Sequence, residues 1–163
     1  MTQYLLTLAT AVALTATLAI SATAAVTAED DEAILEEMVA LETMKLDAWY
    51  GESDPSAYVA EVADDATAFD AFVRMKRDFG EGIRETYRGF EGLIPHIDYE
   101  IVDPAVDVRG DVVVFTFFIE GTNLDDPDLP YGPWNATKVM NRTADGWEMI
   151  HTHFSVPPPP PEE

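Results

Sequence analysis

Two of the chain's three histidines stand at 151 and 153, in the run HTHFS close to the C-terminus. On an extended strand, residues i and i+2 point to the same side, so one ion or one ligand can meet both imidazoles. Three kinds of chemistry fit. As metal ligands the pair needs a third donor, and His96 and Asp70 are the obvious recruits. As proton-transfer groups, either histidine is a candidate general base; alternatively Asp70 takes that part with Tyr87 as hydrogen-bond donor. As polar lining, the two rings orient through hydrogen bonds in a cavity wall and one of them meets a bound anion.

The elements that position them narrow the choice. Asp145-Gly146 reads as the two-residue loop of a hairpin, which pairs Ala144 with Trp147, Met140 with His151 and Lys138 with His153. One face of that hairpin then carries Trp134, Lys138, Arg142, His151 and His153. Large apolar groups mixed with basic or titratable ones are what a ligand cavity shows. The other face carries Val139, Ile150, Thr152 and Phe154 and suits packing against a second subunit. Lys138 opposite His153 repels a cation, so no metal and no cofactor is assigned. The pair is read as pocket wall, and no catalytic residue is assigned. Lys138 and Arg142 are the permanent positive charges on that face. A carboxylate should therefore pair with Lys138, bind more tightly as pH falls toward about 6, and lose affinity in Lys138→Met with the fold intact.

Upstream, hydrophobic spacing predicts helices over 30–51, from Asp54-Pro55 onward, and over 80–92. The first has Ile34, Met38, Leu41 and Lys45 on one stripe with Trp49 beside it; the third carries Tyr87. Short strands are expected at 66–72, which includes Asp70, and then at 96–108, 112–122, 134–143 and 147–156, with a bulge at Pro104. The sum is an α+β domain, three helices over a curved antiparallel sheet.

Composition excludes several classes. The chain has 163 residues, no cysteine, and 31 acids against nine Lys+Arg, for a net charge of −22. Disulfides and thiolate chemistry are impossible. Such a surface repels phosphates, so nucleic acid is not a partner. Residues 4–25 carry no charge and end in a small-x-small pattern, Ala22-Thr23-Ala24. That predicts a signal peptide over 1–24 and a secreted or periplasmic protein, with no membrane contact after cleavage; an uncleaved membrane anchor is the alternative, since the run is long enough to span. The domain is expected over 30–156, followed by a proline-rich tail at 157–163.

The runs FDAF at 69–72, DYEIVDPAVDVRGDVVVFTF at 98–117 and WNATKVMNRTADGWEMIHTHFS at 134–155 resemble the SnoaL-like branch of the nuclear transport factor 2-like superfamily. Over residues 32–156 the chain is similar to the association domain of calcium/calmodulin-dependent protein kinase II. The resemblance implies a cone in which three helices and a bent sheet enclose a pocket, in a homodimer. It places Lys138 where that domain has a pocket base, and Phe154 where that domain has a second one. The expected ligand-binding residues are Lys138, Arg142, His151, His153, Trp134, Tyr87, Trp49 and Asp70. The expected function is binding of a small, carboxylate-bearing molecule. A cofactor-free lyase, isomerase or hydrolase, or an oligomeric scaffold, are the alternatives.

Overall fold

The computed structural model describes residues 28–69 and 76–157. The signal peptide expected over 1–24, Asp70 and the prolines at 158–161 lie outside the described residues. Helix α1 (Ala28–Glu52) buries Met38, Glu42, Lys45, Leu46 and Tyr50, a stripe at helical spacing. Two members of that stripe are charged: Lys45, which the spacing had already placed there, and Glu42, which hydrophobic patterning could not anticipate. Asp54 accepts hydrogen bonds from the Ser56 backbone N–H at 2.8 Å and the Ser56 hydroxyl at 2.9 Å, opening the short helix α2 (Ser56–Glu61).

The chain continues into β1 (Val62–Phe69) and β2 (Arg77–Phe79), then α3 (Gly80–Arg88). Gly80 makes the turn into α3 with φ +22°, and a Cβ there would lie 2.0 Å from the Asp64 carbonyl oxygen. Only glycine fits that close approach. Four long strands follow: β3 (Ile97–Arg109), β4 (Val112–Asn123), β5 (Pro130–Thr143) and β6 (Gly146–Ser155). The β3–β4 register slips between Val102 and Ala105, at the expected Pro104 irregularity.

All six strands form one sheet in the order β2-β1-β6-β5-β4-β3. The sequence suggested a short strand at 66–72 followed by four antiparallel strands. The structure sets that first strand, β1, alongside β6 in parallel and adds β2 as an edge strand. β4 shows the pleat most clearly: Val113, Phe115, Phe117 and Ile119 are buried on the helix side, while Phe118 is 42% exposed on the other. Among the described residues no helix is long and apolar enough to cross a membrane.

The β5–β6 register corrects the sequence reading. The loop residues are Ala144 and Asp145, closed by Thr143 opposite Gly146, one residue earlier than expected. Met140 then pairs with Met149, but Val139 pairs with His151, so Ile150 is an extra residue. From the bulge onward, Lys138 stands opposite Thr152 and Ala136 opposite Phe154. Side chains alternate along a strand, so the slip and the bulge together decide which residues face the helices. Thr152 and Phe154 face the helices. His151 and His153 do not.

Candidate functional site

Between the three helices and the concave side of the sheet lies a cavity of about 330 Å³. Its walls are mainly rings. Trp49 meets Tyr58, Tyr87 and Phe90 edge-on, with centroids 5.2, 5.9 and 5.8 Å apart. These residues come from α1, α2, the end of α3 and the turn that follows it, so the three helices close the cavity through aromatic contacts. Tyr50 from α1 and Tyr131 from β5 join through their hydroxyls, with rings 5.4 Å apart, and Trp134 stands 6.3 Å from Tyr131. Ile83, Ile119 and Phe154 complete the apolar surface.

Polar groups are few. Besides the tyrosines and the indole N–H groups of Trp49 and Trp134, Asp78, Thr86 and Thr152 line the cavity. Asp78 is ion-paired to Lys76 at 3.0 Å, and Thr86 donates to the Gly82 carbonyl at 2.9 Å. Thr152 Oγ1 is buried and makes no hydrogen bond. Burial pushes the Tyr87 phenol above its usual range, and burial with Tyr131 beside it does the same for Tyr50. Both are neutral donors at physiological pH.

Behind Tyr58 sits a buried quartet of two acids and two lysines. Lys138 Nζ donates to Glu42 at 2.9 Å and to Glu61; Lys45 pairs with Glu42 at 2.9 Å and with Glu61. The Tyr58 hydroxyl donates to Glu42 at 2.7 Å, and Lys138 Nζ lies 4.7 Å from the Tyr58 ring centroid. Glu42 and Lys138 are each 1% exposed. Burial alone would raise the Glu42 pKa, but the Lys138 and Lys45 ammonium groups overcome it and hold the carboxyl at about 2. Burial alone would lower Lys138, and Glu42 and Glu61 reverse that, so its pKa is raised. Lys45 is lowered, by burial and then by Lys138. With each charge matched, the quartet is neutral as a unit.

The structure brings together only part of the expected site. Trp49, Tyr87 and Trp134 line the cavity. Lys138 faces the helices as expected but is spent on two internal carboxylates, so it is not a free charge for an incoming anion. Arg142 lies outside the cavity, its guanidinium 4.3 Å over the Trp147 ring and 3.7 Å from Glu37, nearly half exposed. His151 and His153 lie on the outer face, where Phe69 meets them edge-on at 5.7 and 5.5 Å. Thr67 Oγ1 is 2.7 Å from His151 Nδ1. Burial, with His153 alongside, lowers the His151 pKa. His96 is instead paired with Asp125 at 3.1 Å. Among the described residues no three His, Asp or Glu side chains are grouped to hold a metal ion. Asp70 lies outside the described residues. Sequence reasoning missed Tyr50, Tyr58, Phe90 and Tyr131 as lining, and missed Thr152 and Phe154 through the register. Tyr50 and Tyr58 did carry a signal: each is an aromatic residue at helical spacing beside the apolar stripe.

Residues 43–159 match the SnoaL-like domain, and the chain belongs to that family. Its fold is the nuclear transport factor 2-like cone. A candidate ketosteroid isomerase from Parabacteroides distasonis is 29% identical, with a TM-score of 0.65 over 77% of this chain and 89% of that one. A candidate dehydratase of the nuclear transport factor 2-like family from Streptomyces avermitilis is 20% identical, with a TM-score of 0.63 over 78% and 99%. The association domain of C. elegans calcium/calmodulin-dependent protein kinase II has a TM-score of 0.63 at 17% identity, over 78% and 99%. No curated protein matches the chain.

Proposed function

We propose that the chain binds a small, neutral, ring-containing molecule in the cone cavity. The observation that carries this reading is a wall of aromatic side chains with no lysine, arginine or histidine among the described lining residues. A carboxylate would enter beside Asp78, an acid whose ion pair already engages Lys76, which argues against the anionic ligand expected from the sequence. The Tyr50–Tyr131 pair supplies a hydrogen bond. Two phenols joined by one bond hold two protons and use one, so the second can be given to a ligand oxygen. The test is calorimetric titration with 2-naphthol and 2-naphthoate, two molecules of similar shape and opposite charge character. The naphthol should bind and the naphthoate should bind at least tenfold more weakly. Tighter binding of the naphthoate would overturn the reading.

A second reading, a cofactor-free isomerase or dehydratase, is favoured by the Asp78 carboxylate in the same cavity as the phenols. There Asp78 would take a proton from the carbon next to a carbonyl while a phenol steadies the developing oxyanion. Loss of deuterium from α-deuterated 2-tetralone, abolished by Asp78→Asn, is its signature; no exchange above buffer leaves binding alone. The outer sheet face, with Phe118 and Phe69 exposed, supports a homodimer built there. The uncharged N-terminal segment supports export.

A further inference from the structure

A buried hydroxyl without a partner stands in the wall of the cavity. Thr152 is 2% exposed and its Oγ1 makes no hydrogen bond. Valine has almost the same shape and would fill the position without leaving a polar atom unsatisfied. A threonine there calls for a polar partner that the unliganded chain lacks.

The bulge at Ile150 turns Thr152 toward the helices, with Lys138 across the ladder on β5 and Ala68 across the ladder on β1. Lys138 is engaged by Glu42 and Glu61, and Ala68 has no polar side-chain atom. Ala68 and Thr152 are small residues, paired across the ladder, in a lining made mostly of rings and long aliphatic chains. Small side chains at that point favour the approach of a planar ligand's edge. A rotation about χ1 exchanges the Thr152 hydroxyl with its methyl and presents Oγ1 to whatever enters.

We propose that Thr152 is a second polar anchor of the cavity. The ligand is then a neutral, planar molecule bearing two hydrogen-bonding groups, one met by Tyr50–Tyr131 and the other by Thr152. This rests on the binding reading above and narrows its ligand class. A hydroxyl or carbonyl suits Thr152 equally, because the threonine hydroxyl both donates and accepts.

The probes are 2-naphthol, with one such group, and 2,6- and 2,7-dihydroxynaphthalene, with two at different separations. Calorimetry on the full chain should show one dihydroxy isomer binding about tenfold more tightly than 2-naphthol, the gain of one neutral hydrogen bond. Thr152→Val should remove that isomer's advantage over 2-naphthol and raise the Tm of the unliganded chain. Thr152→Ser should keep most of the gain. If neither dihydroxy isomer exceeds 2-naphthol, or if the advantage survives in Thr152→Val, Thr152 is not an anchor although the binding reading stands. If none of the three binds, the binding reading fails and this inference fails with it.

Discussion

Replacing Lys138 with methionine tests the interior most directly. The sequence suggested that the fold would tolerate this change, since methionine has a similar volume. The quartet reverses that expectation. Without Lys138, Glu42 and Glu61 share Lys45 alone, and one buried carboxylate is left without a counter-charge. Removing one partner of a buried pair costs about 3–5 kcal/mol. A domain of this size loses about 2 M in its urea midpoint for such a change. The pH dependence supplies a second readout. In the wild type Glu42 falls from its ordinary 4.5 to about 2, which is ~3 kcal/mol at about 1.36 kcal/mol per pH unit. Because the folded value is the lower one, that stability is fully present above 4.5 and is lost as pH falls toward 2. In Lys138→Met the carboxyl should titrate higher, so protonation relieves the variant before it affects the wild type. The gap between the two proteins should therefore narrow in acid. Adding Glu42→Gln should recover much of the loss at neutral pH by restoring one acid to one lysine. Urea unfolding followed by fluorescence measures all three proteins. A variant within about 0.5 kcal/mol of wild type at neutral pH would show that the quartet does not hold its charges as described.

Four other outcomes are expected. Tyr58→Phe removes the 2.7 Å hydrogen bond to Glu42 and should cost about 1.5–3 kcal/mol in the same unfolding assay; no change would separate Tyr58 from the quartet. Gly80→Ala should cost at least about 3 kcal/mol by thermal denaturation, against about 1 for Gly92→Ala, where nothing lies within 4 Å of the added Cβ. Phe118→Asp should give monomers in light scattering with an unchanged circular dichroism spectrum, and persistent dimers would move the interface to another face. The intact mass of exported protein should lack the first 24 residues, and a full-length species in the membrane would contradict cleavage.

The elements were legible where periodicity is strong. β4 announced itself as the most strand-like run of the chain, with Val113, Phe115, Phe117 and Ile119 turned inward, and Pro104 marked the irregularity in β3. The site was less legible because two single-residue effects governed it. Ala144-Asp145 and Asp145-Gly146 are both plausible two-residue loops, and choosing between them shifts every pair on the hairpin. The bulge at Ile150 then changes the parity of the strand, with no glycine or proline to mark it. Glu42 escaped notice for a different reason. A carboxylate in an apolar stripe reads as solvent-facing unless its cations are known, and Lys138 lies 96 residues away. Tyr131 fell in a stretch read as loop, although it lies within β5.

The quartet draws on α1, α2 and β5, segments far apart in the chain, and this has a consequence for how the protein unfolds. A lone carboxylate or ammonium gains nothing from leaving water until its counter-charges have arrived. The quartet can therefore stabilise the chain only after the helices have docked on a nearly complete sheet. Contacts that form after the folding barrier set the rate of escape from the native state and leave the rate of entry almost untouched. The interior ion cluster acts as a late latch, lengthening the native lifetime of a chain whose acidic surface pushes outward.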